Sequence, residues 1–318
     1  MIDRSQPSPW VSFCISTYKR PDFLKTQLAS LLDQKDRNFE IVISDNDPDG
    51  SARLIVDSFE DSRIRYFVNE ENLGMIKSFN RSIERARTEY ITMVTDDDPI
   101  DRSFLEVIGG LRQQYPGYSL YGGFLRAGKA TDDVEEIKKD FFISEILPPF
   151  KTPSILWSSC ILKRSDVIQI GKIPEYGSPH LADHALIVLT GSINGGVIIN
   201  NMYSNLTQHE YNFSKFNFET YTSGCYGFYN VLKNFIDQTG IPKENELAIR
   251  QHLNKWFITC IFNLKRYYKI RKNREVLLVL DACAKSILSF PFMRDVKVKY
   301  YFKTVMLYLK GSVGLLKP

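Results

Sequence analysis

The chain is poor in cysteine, and the five it has (Cys14, Cys160, Cys225, Cys260, Cys283) are scattered, odd in number and without a CxxC spacing. That argues against a disulfide framework and a structural zinc site, and it favours a reducing compartment. Long hydrophobic runs are missing as well. None reaches the ~18 apolar residues that a membrane span requires, and the opening Met1-Ile2-Asp3-Arg4-Ser5 lacks the apolar core of a signal peptide. A cytoplasmic location is the expectation. Charge of one sign is not in large excess: a net +4 is too small to argue for nucleic acid. Two phosphate-binding signatures are absent too. No GxGxxG follows the first apolar segment, which argues against a dinucleotide-binding domain, and no GxxxxGK[ST] occurs, which removes P-loop NTPases.

What remains is an ordinary globular composition, 43% hydrophobic and 25% charged, in a chain long enough for one large domain or two modest ones. Val11 to Thr17 is short, apolar and rich in β-branched residues, as a buried strand is. Pro21 and Asp22 open a helix with Phe23, Leu24, Leu28, Leu31 and Leu32 as its inward stripe. Phe39 to Ser44 forms a second strand, stopped by the turn-rich Asp45-Asn46-Asp47-Pro48-Asp49-Gly50. A helix over roughly 51–59, a strand at Ile64 to Val68, a loop at 69–74, a helix to about Ala86 and a strand at Tyr90 to Val94 complete the pattern. Strands alternating with helices predict βαβ units and a mainly parallel sheet.

The fourth strand delivers Asp96-Asp97-Asp98 at its carboxyl end, where open α/β sheets bind ligands. Neighbouring carboxylates repel unless a cation neutralises them, and a divalent metal carrying a phosphate ester does so. Thr17, Tyr18 and Arg20 follow the first strand, and Asp45 and Asn46 the second. Such a set suits a nucleoside diphosphate. A carboxylate accepts the N3–H of uracil, an aromatic ring stacks on the base and a metal bridges the phosphates. Each residue alone could equally be a turn former or a helix cap.

Val11 to Pro21, Glu40 to Asn46, Asn72-Leu73-Gly74 and Tyr90 to Asp98 together resemble a family 2 glycosyltransferase of the GT-A fold, bacterial surface-polysaccharide type. The resemblance is strong over about the first 105 residues and continues as short motifs to about residue 215. It implies an α/β fold, a mainly parallel sheet flanked by helices, with a catalytic domain at 1–215 (donor half about 1–105, acceptor half about 106–215) and a helical, basic-aromatic region at 216–318. It implies an inverting, metal-dependent transfer, with Mn2+ or Mg2+, from a nucleotide-sugar donor, UDP-linked by preference, to a glycan hydroxyl on a polyprenyl-diphosphate carrier. By the resemblance Thr17, Tyr18, Arg20, Asn46 and Asp96 contact the donor nucleotide and Asp45 reads the base. Asp97, Asp98 and His209 fall to the metal, though Thr95 stands where similar sequences start their acidic motif with Asp. Asp183, in the helix opening Leu181-Ala182-Asp183-His184, aligns with the general base that takes the acceptor proton; a helix-start aspartate favoured by the dipole is the plainer reading. The alternative from another class is a non-catalytic nucleotide-sugar-binding or scaffolding subunit on a degenerate version of the fold.

Ser154 to Arg164 resembles the family's acceptor-side segment, where Trp157 either stacks on a sugar or fills the core. His184 is expected to face away from Asp183. The polar segment 126–153 reads as an excursion or lid over the site. In the tail, Phe262 to Arg274 holds six basic residues and no acid. Val298, Tyr301, Phe302, Val305 and Leu309 recur at helical spacing, with Lys299, Lys303 and Lys310 on another face. Such a helix suits an anionic membrane surface, or else packs on the catalytic domain or a second subunit of a homo-oligomer. No nucleic-acid motif accompanies the charge.

Overall fold

The largely apolar first strands demand cover on both sides, and the chain supplies it with helices. A computed structural model describes residues 8–126, 128–147, 155–205, 207 and 217–312, with side chains to Leu309. Its eight strands are β1 (Val11–Thr17), β2 (Phe39–Asp45), β3 (Ile64–Val68), β4 (Tyr90–Val94), β5 (Leu120–Gly123), β6 (Val134–Ile137), β7 (Cys160–Lys163) and β8 (Gly196–Ile199). They form one sheet in the order β3-β2-β1-β4-β7-β5-β8-β6. The donor-half strands β1 to β4 are mutually parallel, as the βαβ pattern requires. β7 enters antiparallel between β4 and β5, β5 and β8 are parallel, and β6 closes the edge antiparallel to β8.

The chain divides into two compact units: Met1–Glu145, Lys151–Glu175 and Ala182–His209 make the first, and Ile146–Phe150, Tyr176–Leu181 and Glu210–Pro318 the second. In the first, helices α1 (Pro21–Leu32), α2 (Arg53–Asp57), α3 (Met75–Arg85), α4 (Phe104–Gln114), α5 (Phe142–Ile146), α6 (Arg164–Gln169) and α7 (Ala182–Asn194) accompany the sheet. Phe13 and Ile15 of β1, Ile41 and Ile43 of β2, Leu24 and Leu28 of α1 and Phe104 and Ile108 of α4 share one core. Each such side chain contributes roughly 1.5–3 kcal/mol by leaving water.

The structure overturns one expectation here and decides between two alternatives left open for another residue. The segment 126–153 is not a lid over its described part, because β6 is the sheet's last strand and Phe142 and Ile143 are fully buried. Its acids are used internally: Arg126 pairs with both Glu135 and Glu145. Trp157 belongs to the core, 8% exposed and edge-on to Phe79 with 4.8 Å between centroids. The turn at 170–174 is held by a reciprocal pair in which Asn80 Nδ2 donates to the Ile173 carbonyl and Ile173 N–H donates to Asn80 Oδ1, both at 3.0 Å.

The second unit is helical: α8 (Tyr221–Thr239), α9 (Asn245–Phe257), a π-turn at Ile258–Phe262, α10 (Asn263–Ile270), α11 (Arg274–Ser289) and α12 (Arg294–Ser312). His180 stacks on Tyr221 at 4.1 Å, and Trp256 meets Tyr221 edge-on at 5.5 Å. The basic run of α10 is not all solvated. Lys265 is buried, donating to Tyr300 Oη at 2.9 Å and paired with Asp281. Among the described residues no single helix is long and apolar enough to cross a membrane.

Candidate functional site

Strand register builds this site. Thr17 lies opposite Asp45, and Ile15 opposite Val94. Two residues beyond those partners, Thr17 and Asp96 meet at the same carboxyl edge, and Thr17 Oγ1 donates to Asp96 Oδ2 at 2.9 Å. The link to α1 is short and strained, with Lys19 at φ +54° and Pro21 starting the helix. That turn aims Arg20 inward. Its guanidinium donates to Asp96 Oδ1 at 2.8 Å and to Asp97 Oδ2 at 2.6 Å while lying 4.3 Å from the Phe23 ring centroid.

Asp96 is buried, and burial pushes its pKa up to about 6 from 3.8; Arg20 and Thr17 pull it down while the charge on Asp97 pushes it further up. One guanidinium thus sits between two carboxylates that would otherwise repel. Asp98 is turned to other work: it accepts from Thr95 Oγ1 at 2.8 Å and from the Thr207 backbone N–H at 2.7 Å. The same loop is tied down by Asn205 N–H to the Pro99 carbonyl at 3.1 Å.

Asp45 is wholly buried, with its two oxygens accepting from Tyr66 Oη at 2.5 Å, Asp47 N–H at 3.0 Å and Ala52 N–H at 3.2 Å. In this conformation it holds the loop 46–52. Burial and the hydrogen bond to Asp45 push the Tyr66 phenol upward. Asn46 beside it is also buried, donating to Asn72 Oδ1 at 2.7 Å and accepting from Leu73 N–H at 2.9 Å. Tyr18, by contrast, is 41% exposed just past the end of β1, with Lys19 Nζ 5.4 Å from its ring centroid.

Asp183 stands in the first turn of α7, its side chain 33% exposed. His184 does not face away: its Nε2 is 3.8 Å from Asp183 Oδ2. His209 lies outside the described residues. The structure thus gathers Thr17, Arg20, Asp96 and Asp97 into one bonded cluster and sets Asp98, Asp45 and Asn46 beside it as holders of loops. Sequence reasoning missed Tyr66 and Thr207 as partners of those acids, and noted Thr95 only as the residue at the head of the acidic motif, not as a donor to Asp98.

A divalent cation is compatible with this donor set. Magnesium-like ions take hard oxygen ligands, keep several waters and are held by one or two carboxylates plus substrate phosphates. Asp97, 11% exposed at the sheet edge, fits that partial role. Among the described residues no three acidic, histidine or cysteine side chains form a closed protein cage.

Comparison with known proteins bears on the family and the fold. The family model described as Glycosyl transferase family 2 matches residues 12–169. The GalNAc(5)-diNAcBac-PP-undecaprenol beta-1,3-glucosyltransferase of Campylobacter jejuni is 26% identical over 157 residues, covering 45% of this chain and 50% of that protein. Abequosyltransferase RfbV of Salmonella typhimurium is 31% identical over 103 residues, 31% of either chain. The chain thus spans half or less of the length of these curated relatives. Among solved structures, TarS 1-349 of S. aureus in complex with UDP-GlcNAc superposes with a TM-score of 0.53 at 14% identity, covering 92% of this chain and 91% of that one. Mannosyltransferase PcManGT of Pyrobaculum calidifontis, in complex with GDP-Man and Mn2+, gives 0.56 at 13% identity over 96% and 88%. The fold is of the GT-A type.

Proposed function

We propose, for a chain that residues 12–169 make a member of the glycosyl transferase family 2, that it moves a sugar from a nucleoside-diphosphate donor to a hydroxyl of a glycan acceptor with inversion at the anomeric carbon. The observation that supports this most is the Arg20 guanidinium bonded to Asp96 and Asp97 at the carboxyl edge of β1 and β4. A cationic and acidic pair at that edge suits a diphosphate and its counter-ion together.

In this reading Thr17 and Asp96 hold the ribose and phosphate side of the donor, Tyr18 stacks on the base, and the Asp45–Asn46 loop reads it. For Asp45 to touch a base directly, the residues that bury it must shift, because its carboxylate is wholly covered. Asp97 would hold a divalent metal, Mn2+ or Mg2+, with His209 as a candidate second ligand and Asp98 bracing the neighbouring loop. When bound, such an ion supplies Lewis-acid stabilisation of charge on the departing diphosphate. Arg20, beside Asp97, adds fixed positive charge that need not reorganise during the reaction.

Asp183 takes the proton of the acceptor hydroxyl as it attacks, and His184 at 3.8 Å helps keep that carboxylate in place. UDP is the preferred donor nucleotide. The named relatives act on an undecaprenol-linked glycan or transfer abequose, which favours a lipid-carried surface-polysaccharide intermediate as acceptor.

Calorimetric titration of UDP, GDP, CDP and dTDP into the purified protein, each with and without Mn2+, tests the reading. Metal-dependent binding of one nucleotide, weakened by Asp97→Ala, is expected. No binding of any nucleotide would overturn it in favour of a scaffolding role.

A further inference from the structure

Helix α12 has two apolar faces, and only one of them is buried. At 100° per residue, Val296, Tyr300 and Leu307 fall on one side, and all three are buried within the helical unit. Val298, Tyr301, Phe302, Val305 and Leu309 fall on the opposite side and are between 51% and 79% exposed. A surface helix normally presents polar residues there. Five large apolar side chains at 3–4-residue spacing on a solvent face mark an interaction surface.

The stripe has basic margins. Lys297 and Lys299 are exposed on either side of it, whereas Lys303 falls on the buried side, half-buried with Nζ 5.2 Å from the Phe262 ring centroid. The wider charge distribution points the same way. From Phe216 onward the chain has 17 lysines and arginines against 7 acids, while the preceding 215 residues have 24 against 30. The modest net charge of +4 therefore hides a strongly basic C-terminal region joined to an acidic N-terminal one.

We propose that the outward face of α12 is a docking surface for an anionic lipid bilayer, its apolar stripe entering the interface while the lysines meet the head groups. Charge decides between this partner and a second copy of the chain. A two-fold contact through this stripe would set the same basic margins against each other, whereas an anionic surface neutralises them. Depth follows from length and bend. Arg274–Ser289 and Pro291–Leu309 are apolar enough to span only if taken together, and they meet at 102°, so α12 lies along the surface. The use of such a face by the enzyme rests on the lipid-carried acceptor proposed above; the contact itself is tested separately.

The test is flotation of the full chain with vesicles of phosphatidylcholine alone and of phosphatidylcholine with phosphatidylglycerol. Binding is expected to the anionic vesicles only. The triple variant Val298→Ser/Phe302→Ser/Val305→Ser should lose more than about 100-fold in partitioning, with its melting temperature and nucleotide titration unchanged. Lys297→Gln and Lys299→Gln should each cost about five-fold, and these keep the test decisive should the triple variant fold poorly. Absence of binding by the parent, or equal binding by the triple variant, overturns the proposal. Light scattering that finds a dimer broken by the triple variant, with no vesicle binding, assigns the face to a second copy instead. Vesicle binding without nucleotide binding would keep the lipid surface and reject the transferase reading.

Discussion

Asp96 holds its place at a cost. Its carboxyl titrates near 6 in the folded chain against 3.8 as a free side chain, so between those values the folded state retains a proton that the unfolded state has lost. Stability from this group is therefore highest in acid, falls as pH rises through that window, and is lower by about 3 kcal/mol above it. Asp96→Asn mimics the protonated form. Denaturant midpoints of parent and variant, without nucleotide, should diverge in the variant's favour from pH 4 to pH 7; a pH-independent difference would refute the shift. A bound metal or nucleotide partner that prefers the carboxylate would reverse the trend. For Asp183 the expectation is kinetic: Asp183→Asn keeps donor binding and loses turnover by at least about 100-fold. Unchanged turnover would remove it as the base. The acids of this site were legible in the sequence because they follow an apolar strand. Their partners were not: Tyr66 reaches Asp45 from another strand, and Thr207 reaches Asp98 from a loop 109 residues away.

The parallel strands β1, β2 and β4 announce themselves as largely apolar, β-branched runs, which is what burial on both faces selects, while β3 is a half-buried edge strand. The acceptor half hides its strands. β5 is Leu-Tyr-Gly-Gly, and its last two residues are glycines because a side chain there would strike Cys160 or Tyr203. β6 is Val-Glu-Glu-Ile, an edge strand whose charges protect an open ladder and so imitate a solvated loop. Helix α7 offers a test of how tightly Asp183, the proposed base, is positioned. A Cβ at Gly191 would collide with the Phe142 ring, which is fully buried and has no room to yield. Gly191→Ala gains about 1 kcal/mol of helix propensity but should lose about 1–3 kcal/mol to overpacking. A lower melting temperature is expected, with turnover reduced more than nucleotide binding. A stabilised variant would show that the helix has slack.

Each of the two units has its own core, so a ligand of the sheet should act on one of them. At 100 times its dissociation constant, a nucleotide that binds only the native state adds about 2.7 kcal/mol. In calorimetry that increment should raise the transition of the sheet-bearing unit; if a second transition is resolved for the helical unit, it should stay where it is. Equal shifts of both would mean that the units melt as one. The bonds from Thr17 and Arg20 to Asp96 and Asp97 close loops of 76–79 residues. Contacts so distant along the chain form late, after β2, β3 and β4 have found their neighbours. The capacity to bind nucleotide should therefore appear last during refolding, and a nascent chain would acquire it only once the fourth strand has left the ribosome and paired.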